Sequence, residues 1–287
     1  MSKFRLRGRR RKNRQPKTDR VPLRSIVPNL ITSLAACAGI TSISLSSEGR
    51  WTHALVALLV ACLCDGMDGR VARLLKASSK LGAELDSLAD FVNFGVAPAM
   101  FMYYWLTGGP GHCGASSQMV RLVLGCSLFY AMCDCFRLAR FNTMLEQPSL
   151  PYWKNYFLGV PAPGGAWMVL SPAILSIALD AKGKFPAVAE FLQSPYFGMA
   201  MLLFIGSLMA SRLPTISLKS VHVRKTMLLP IMAVLLLLVA FLVSNFWLTI
   251  GLAGVGYVFT VPVTGFMFLR TRARYERMQP MSATVRE

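Results

Sequence analysis

WTHALVALLVACLCDGMDGRVARLLKASSKLGAELDSLADFVNFGVAPAMFMYYW, residues 51–105, decides how this chain folds. An apolar run from Thr52 leads into Asp65-Gly-Met-Asp68-Gly69. A short polar link through Lys76, Ser78, Ser79 and Lys80 follows. Gly82, Asp86 and Asp90 then precede a second apolar run that ends at Trp105. Each half is long enough for a spanning helix of about 20 residues. Asp65 and Asp68 are i, i+3 on the first helix, and Gly82, Asp86 and Asp90 form one i, i+4, i+8 stripe on the second. With the turn near Ser78, Asp68 and Asp65 lie 10 and 13 residues before it, and Asp86 and Asp90 lie 8 and 12 after it. In an antiparallel hairpin these levels match, roughly 12–20 Å from the turn at 1.5 Å per residue. Ionised carboxylates inside or beside membrane spans are costly and mark a functional site.

Outward from the hairpin the chain stays apolar. Of 287 residues, 54% are hydrophobic and 15% charged, with a mean hydropathy of +0.48. That composition excludes an ordinary soluble domain and predicts an all-α, polytopic transmembrane bundle. Eight spans are expected: about Ile26–Leu45, Thr52–Arg73, Leu81–Trp105, Met119–Ala139, Val160–Leu179, Leu192–Ser211, Met227–Ser244 and Phe246–Leu269. Pro161, Pro163, Pro172 and Pro186 interrupt the fifth and sixth, and prolines are tolerated in spans. No internal repeat is visible. The expected organisation is a basic arm over residues 1–25, a catalytic core over 26–212, two additional helices over 213–270, and a basic tail over 271–287.

The net charge of +18 is unevenly placed. Eleven Lys and Arg fall within Met1–Arg24 against the single acid Asp19. Such a block reads as a disordered arm. An anionic lipid surface is its nearer partner, ahead of nucleic acid, because a membrane chain follows at once. No small-residue cleavage site follows the first apolar run, so a secretory leader is not expected. With both termini in the cytoplasm, 27 of the 31 Lys and Arg fall on the cytoplasmic side. That asymmetry obeys the positive-inside rule and suits an even number of spans. The cysteines include the pairs Cys62/Cys64 and Cys133/Cys135, a spacing foreign to zinc sites, and His53, His112 and His222 are scattered.

Four clustered carboxylates repel one another unless a cation neutralises them. Hard oxygen ligands favour Mg²⁺ or Mn²⁺, with Ca²⁺ also suitable. Two such ions stabilise charge on a transferring phosphoryl centre. Gly69 and Gly82 leave room for a bulky substrate. Arg73 can pair with a phosphate, and a spare carboxylate can act as base. The bland alternative is that the aspartates form salt bridges with Arg70, Arg73 and Lys80.

The segment resembles the signature of the CDP-alcohol phosphatidyltransferase family, D-x2-D-G-x2-A-R-x8-G-x3-D-x3-D. Here it comprises Asp65, Asp68, Gly69, Ala72, Arg73, Gly82, Asp86 and Asp90, eight positions over 26 residues with every spacing kept. The resemblance implies a homodimeric helical fold with a six-helix core. It also implies a two-metal site held by Asp65, Asp68, Asp86 and Asp90, with Asp90 as general base. The CDP headgroup of CDP-diacylglycerol would lie against Gly69, Ala72, Arg73 and Gly82. The surroundings are most similar to the membrane-embedded phosphatidylserine synthases. The similar segments are Pro28-Asn29-Leu-Ile-Thr32, the run from Asp86 to Pro98, Arg137-Leu-Ala-Arg140-Phe-Asn142 and Gly159-Val-Pro-Ala-Pro163. By that likeness Asn29 and Thr32 join the CDP-lipid site, and the cell (inner) membrane is the expected location.

The same likeness implies L-serine as acceptor, with phosphatidylserine and CMP as products. A zwitterion requires both signs of charge. Asp134, Arg137, Arg140 and Asn142 lie together at the end of the fourth span. There Arg137 or Arg140 would bind the serine carboxylate, and Asp134 would orient the arginines or meet the ammonium. The alternative is a structural Asp134–Arg137 pair. Other acceptors, such as glycerol 3-phosphate, inositol phosphate or choline, would use the same chemistry. A cation transporter would also place acids within spans, but it does not account for the eightfold motif.

Overall fold

The computed structural model describes residues 26–77, 79–109, 116–144, 156–180, 183, 185–211, 214–216 and 228–260. The basic arm 1–25, the tail 271–287 and the stretch of the eighth expected span after Thr260 lie outside the described residues. So do the loop cations Lys154, Lys182, Lys184, Arg212, Lys219, Arg224 and Lys225.

Helices dominate, as the apolar runs predict. They are α1 (Ile26–Ser47), α2 (Trp51–Leu74), α3 (Lys80–Asp90), α4 (Ala97–Thr107), α5 (Ser117–Met144), α6 (Ala162–Asp180), α7 (Pro186–Gln193), α8 (Pro195–Ala210), α9 (Leu228–Ser244) and α10 (Phe246–Thr260). By length and composition Ile26–Ser47, Ser117–Thr143 and Ala162–Asp180 each suffice to cross a membrane. The sixth expected span is not one straight helix. Its body is α8, and the preceding α7, which overlaps the span only at Leu192 and Gln193, joins α8 at a bend of 58°. Pro195 explains the break, since it offers no N–H and drives Ser194 into an extended backbone. Pro172 lies inside α6 without ending it.

Central and peripheral helices differ sharply. In α6, 72% of the spanning window is buried, which makes it the axis of the bundle. Its neighbours supply Phe101, Met102, Tyr130, Leu202 and Ile205 to one apolar core. The outward faces are apolar too. Leu34, Leu63, Leu128, Phe136 and almost the whole of α9 are exposed. In water such a surface would drive association, whereas hydrocarbon matches it.

One departure from an all-helical chain occurs among the described residues. Tyr156–Leu158 (β1) pairs antiparallel with Pro214–Ile216 (β2), after α5 and α8 respectively. A second local feature falls in the third expected span, which stays helical from Lys80 to Thr107 but widens to a π turn over Phe91–Val96. There the Ala97 N–H donates to Val92 O, five residues back. Pro98 supplies part of the reason, because it has no N–H for the Phe94 carbonyl. The fully buried Tyr130 of α5 donates its hydroxyl to Phe94 O at 3.0 Å instead. That bond fixes α5 against the turn immediately after Asp90.

Candidate active site

The two helices that carry the aspartates scarcely touch each other. α2 packs along α1, and α3 also meets α1 more than it meets α2. The hairpin expected from the sequence is therefore splayed over α1, and the two helices meet chiefly through their acids. α1 also orients them. Thr32 Oγ1 donates to Asp68 Oδ2 at 2.5 Å and lies 3.1 Å from its own Pro28 carbonyl. Thr32 and Asp68 are both buried, each 3% exposed. At the start of α3 the Gly82 N–H donates to Ser79 Oγ at 3.0 Å, an N-cap.

Carboxylate oxygens of Asp65, Asp68 and Asp86 lie within 4.8 Å of one another. Asp65 Oδ1 is buried and has no hydrogen-bond partner. The ion pairs among the described residues are Glu48–Arg50 and Asp134–Arg137. None joins the aspartates to Arg70, Arg73 or Lys80, so the salt-bridge alternative is not realised. Three carboxylates this close, in a partly buried setting, could hold a cation that relieves their repulsion. The all-oxygen set fits Mg²⁺, Mn²⁺ or Ca²⁺. Asp90, expected as a fourth ligand, lies outside this triad. Its carboxyl faces that of Asp65 and also feels Asp86, Arg137 and Asp134. It therefore lies within the electrostatic reach of both the triad and the charged pair on α5.

That pair is well buried. Asp134 has no exposed surface, and its Oδ1 accepts from Arg137 Nε at 3.3 Å. Its Oδ2 has no partner. It abuts Gly95 of the π turn, where a Cβ would come within 2.8 Å of it. Arg140 is turned elsewhere. It donates from Nη1 to Ala210 O at 2.9 Å and from Nη2 to Ser211 O at 3.0 Å, which closes the end of α8. Asn142 Nδ2 donates to Ser87 Oγ at 3.1 Å and ties α5 to α3.

The residues expected on the CDP side divide into two kinds. Gly69 faces open space, with nothing within 4 Å of a hypothetical Cβ. Half-buried Ala72 and exposed Arg73 follow, with Arg73 Nε donating to Gly69 O at 3.1 Å along the helix. Gly82 differs. A Cβ there would meet Asn29 Oδ1 at 2.9 Å and Ser79 Oγ at 3.1 Å. Its missing side chain serves the approach of α1 to α3, not an open space. Glu84, which lies off the Gly82/Asp86/Asp90 stripe of α3, is exposed. Sequence reasoning missed Tyr130, Ser87 and Asn93. Pro98 was the one available signal, because it deprives a buried carbonyl of its helical partner.

The sequence model of one family, described as CDP-alcohol phosphatidyltransferase, matches residues 25–205. Three curated relatives carry the name CDP-diacylglycerol–serine O-phosphatidyltransferase. The one from Mycobacterium leprae is 37% identical over 210 residues, 73% of this chain and 64% of that protein. This chain therefore spans just under two-thirds of it. The one from Mycobacterium bovis is 34% identical over 238 residues, 83% of this chain and 77% of that protein. The one from Helicobacter pylori is 36% identical over 160 residues, 56% of this chain and 60% of that protein.

Proposed function

The chain belongs to the CDP-alcohol phosphatidyltransferase family and is thus an integral membrane phosphotransferase; from that premise we propose that it transfers the phosphatidyl group of CDP-diacylglycerol to L-serine, giving phosphatidylserine and CMP. The observation that carries this reading is the adjacency of two unlike groups. A triad of carboxylates, Asp65, Asp68 and Asp86, adjoins Asp90, and the charges of the buried Asp134–Arg137 pair reach Asp90 as well. The first suits a pyrophosphate with its cations. The second suits a zwitterion.

Asp65, Asp68 and Asp86 would hold divalent cations, Mg²⁺ or Mn²⁺, with Asp90 as a further ligand of a two-ion set. Such ions supply charge neutralisation at the pyrophosphate. The protein's own groups do the rest. Thr32 keeps the Asp68 carboxylate oriented through its hydroxyl. Gly69 leaves the backbone open to the CDP headgroup beside Ala72 and Arg73, while Asn29 and Gly82 fix the facing wall. Asp90 accepts the serine hydroxyl proton. The serine oxygen bonds to the β-phosphorus, the bond from that phosphorus to the CMP oxygen breaks, and CMP leaves with the electron pair.

Arg137 takes the serine carboxylate, and Asp134 Oδ2, which lacks a partner, takes the ammonium. Arg140 and Asn142 hold the end of α5 so that this pair faces Asp90. Arg137→Lys keeps a cation beside the buried Asp134 yet loses the planar fork. It is expected to raise the serine KM by about tenfold, one charge-assisted hydrogen bond, with the CDP-diacylglycerol KM unchanged. An unaltered serine KM would remove Arg137 from this role.

Residues 26–212 form the catalytic core in this reading, with two further helices after it, and the enzyme acts as a homodimer. The site opens to the cytoplasm of a cell whose inner membrane holds the chain, both termini being cytoplasmic. The basic arm rests on anionic lipid. The deciding experiment is an acceptor panel. Purified protein with CDP-diacylglycerol and Mg²⁺ or Mn²⁺ is given serine, glycerol 3-phosphate, inositol phosphate or choline, and CMP is measured. Release with serine alone is expected. Faster release with another alcohol would replace serine and leave the family chemistry standing.

A further inference from the structure

One polar side chain of the bundle interior takes no part in the chemistry above. Asn93 is 1% exposed, and neither its Oδ1 nor its Nδ2 has a hydrogen-bond partner. A buried amide in that state bears a desolvation cost that no internal bond returns, so a partner that arrives with a ligand is the economical account. Asn93 sits in the π turn. Its carboxamide packs over Gly39 of α1, where any Cβ would collide with Oδ1.

Asn93 also lines a cavity of about 400 Å³ between α2, the π turn, α6 and α10. The cavity's other walls are mainly apolar, with Leu58, Phe94, Leu170 and Ile174 among them. Two registers fix its depth. Cys62 precedes Asp65 by three residues on α2, and Asn93 follows Asp90 by three; both line the cavity. Three residues, about 4.5 Å along an α-helical axis, separate each from its carboxylate. The cavity therefore begins one turn below the aspartates and runs on into the apolar interior toward Leu55.

A diacylglycerol phosphate held at the aspartates has its ester groups a few bonds below the phosphorus, at the level of Asn93. An ester carbonyl asks for one donor and is followed by a purely apolar chain, which matches one amide on an apolar wall. A water molecule matches less well, because it needs two to four polar partners. We infer that this cavity receives one acyl chain of the lipid substrate and that Asn93 donates from Nδ2 to the ester carbonyl of that chain, so that the protein selects acylated over alkylated glycerol. This rests on the assignment of the aspartate site to a CDP-lipid.

The test compares CDP-diacylglycerol with CDP-dialkylglycerol of equal chain length, using the full chain in nanodiscs and CMP release as the readout. The wild type is expected to favour the diacyl lipid by about tenfold in kcat/KM, as for a buried donor left unpaired by an analogue. Asn93→Leu is expected to abolish that preference, and so is Asn93→Ala, which removes the amide without added bulk. Equal use of both lipids by the wild type overturns the inference alone. So does a wild-type ratio in either variant. No CMP from either lipid overturns the functional reading, and this inference with it.

Discussion

Asp90→Asn is expected to lower kcat for CMP release by about 10²–10⁴-fold, the range for loss of a general base, while CDP-diacylglycerol still binds. The substitution keeps the shape of the side chain and removes its capacity to take a proton. The expectation follows from the position of Asp90, which is not one of the three carboxylates that lie within 4.8 Å of one another. It faces Asp65 and lies within reach of the charges of the Asp134–Arg137 pair, the proposed acceptor site. Binding of CDP-lipid, read from ligand-induced thermal stabilisation, should survive because the triad is intact. Wild-type turnover in this variant would exclude Asp90 as the base. If stabilisation by Mn²⁺ disappeared together with turnover, Asp90 would instead be chiefly a cation ligand.

Much of this site was legible in the sequence because it is local. Asp65, Asp68, Asp86 and Asp90 lie within 26 residues, so helix periodicity alone puts them on facing stripes. What stayed hidden is contributed by distant segments. That Thr32 holds Asp68 depends on a contact 36 residues away. That Arg140 reaches the end of α8 depends on one 70 residues away. Gly69 and Gly82 look alike in the motif, yet one faces open space and the other faces Asn29 of α1. The π turn was hidden for a different reason. Its apolar residues suit either helix type, and only the Pro98–Tyr130 combination favours the wider turn.

Asp86→Asn provides the second large effect, in stability as well as in turnover. Without divalent cations, three carboxylates within 4.8 Å repel one another, and removing one relieves the repulsion. The variant should then melt above the wild type in EDTA. With Mg²⁺ the order should reverse. A ligand that binds the folded state alone adds about 2.7 kcal/mol when present at a hundred times its Kd. The wild type gains that increment, and the variant, with one anionic ligand fewer, gains little of it. The two melting curves against Mg²⁺ concentration therefore cross. A purely structural role for Asp86 would produce a constant offset in either direction and no crossing. CMP release should fall in parallel, by about 10³-fold or more for loss of preorganised charge stabilisation at the phosphoryl group. Equal Mg²⁺ responses in the two proteins would mean that the cluster holds no cation. The chemistry of the site would then have to be assigned to its arginines.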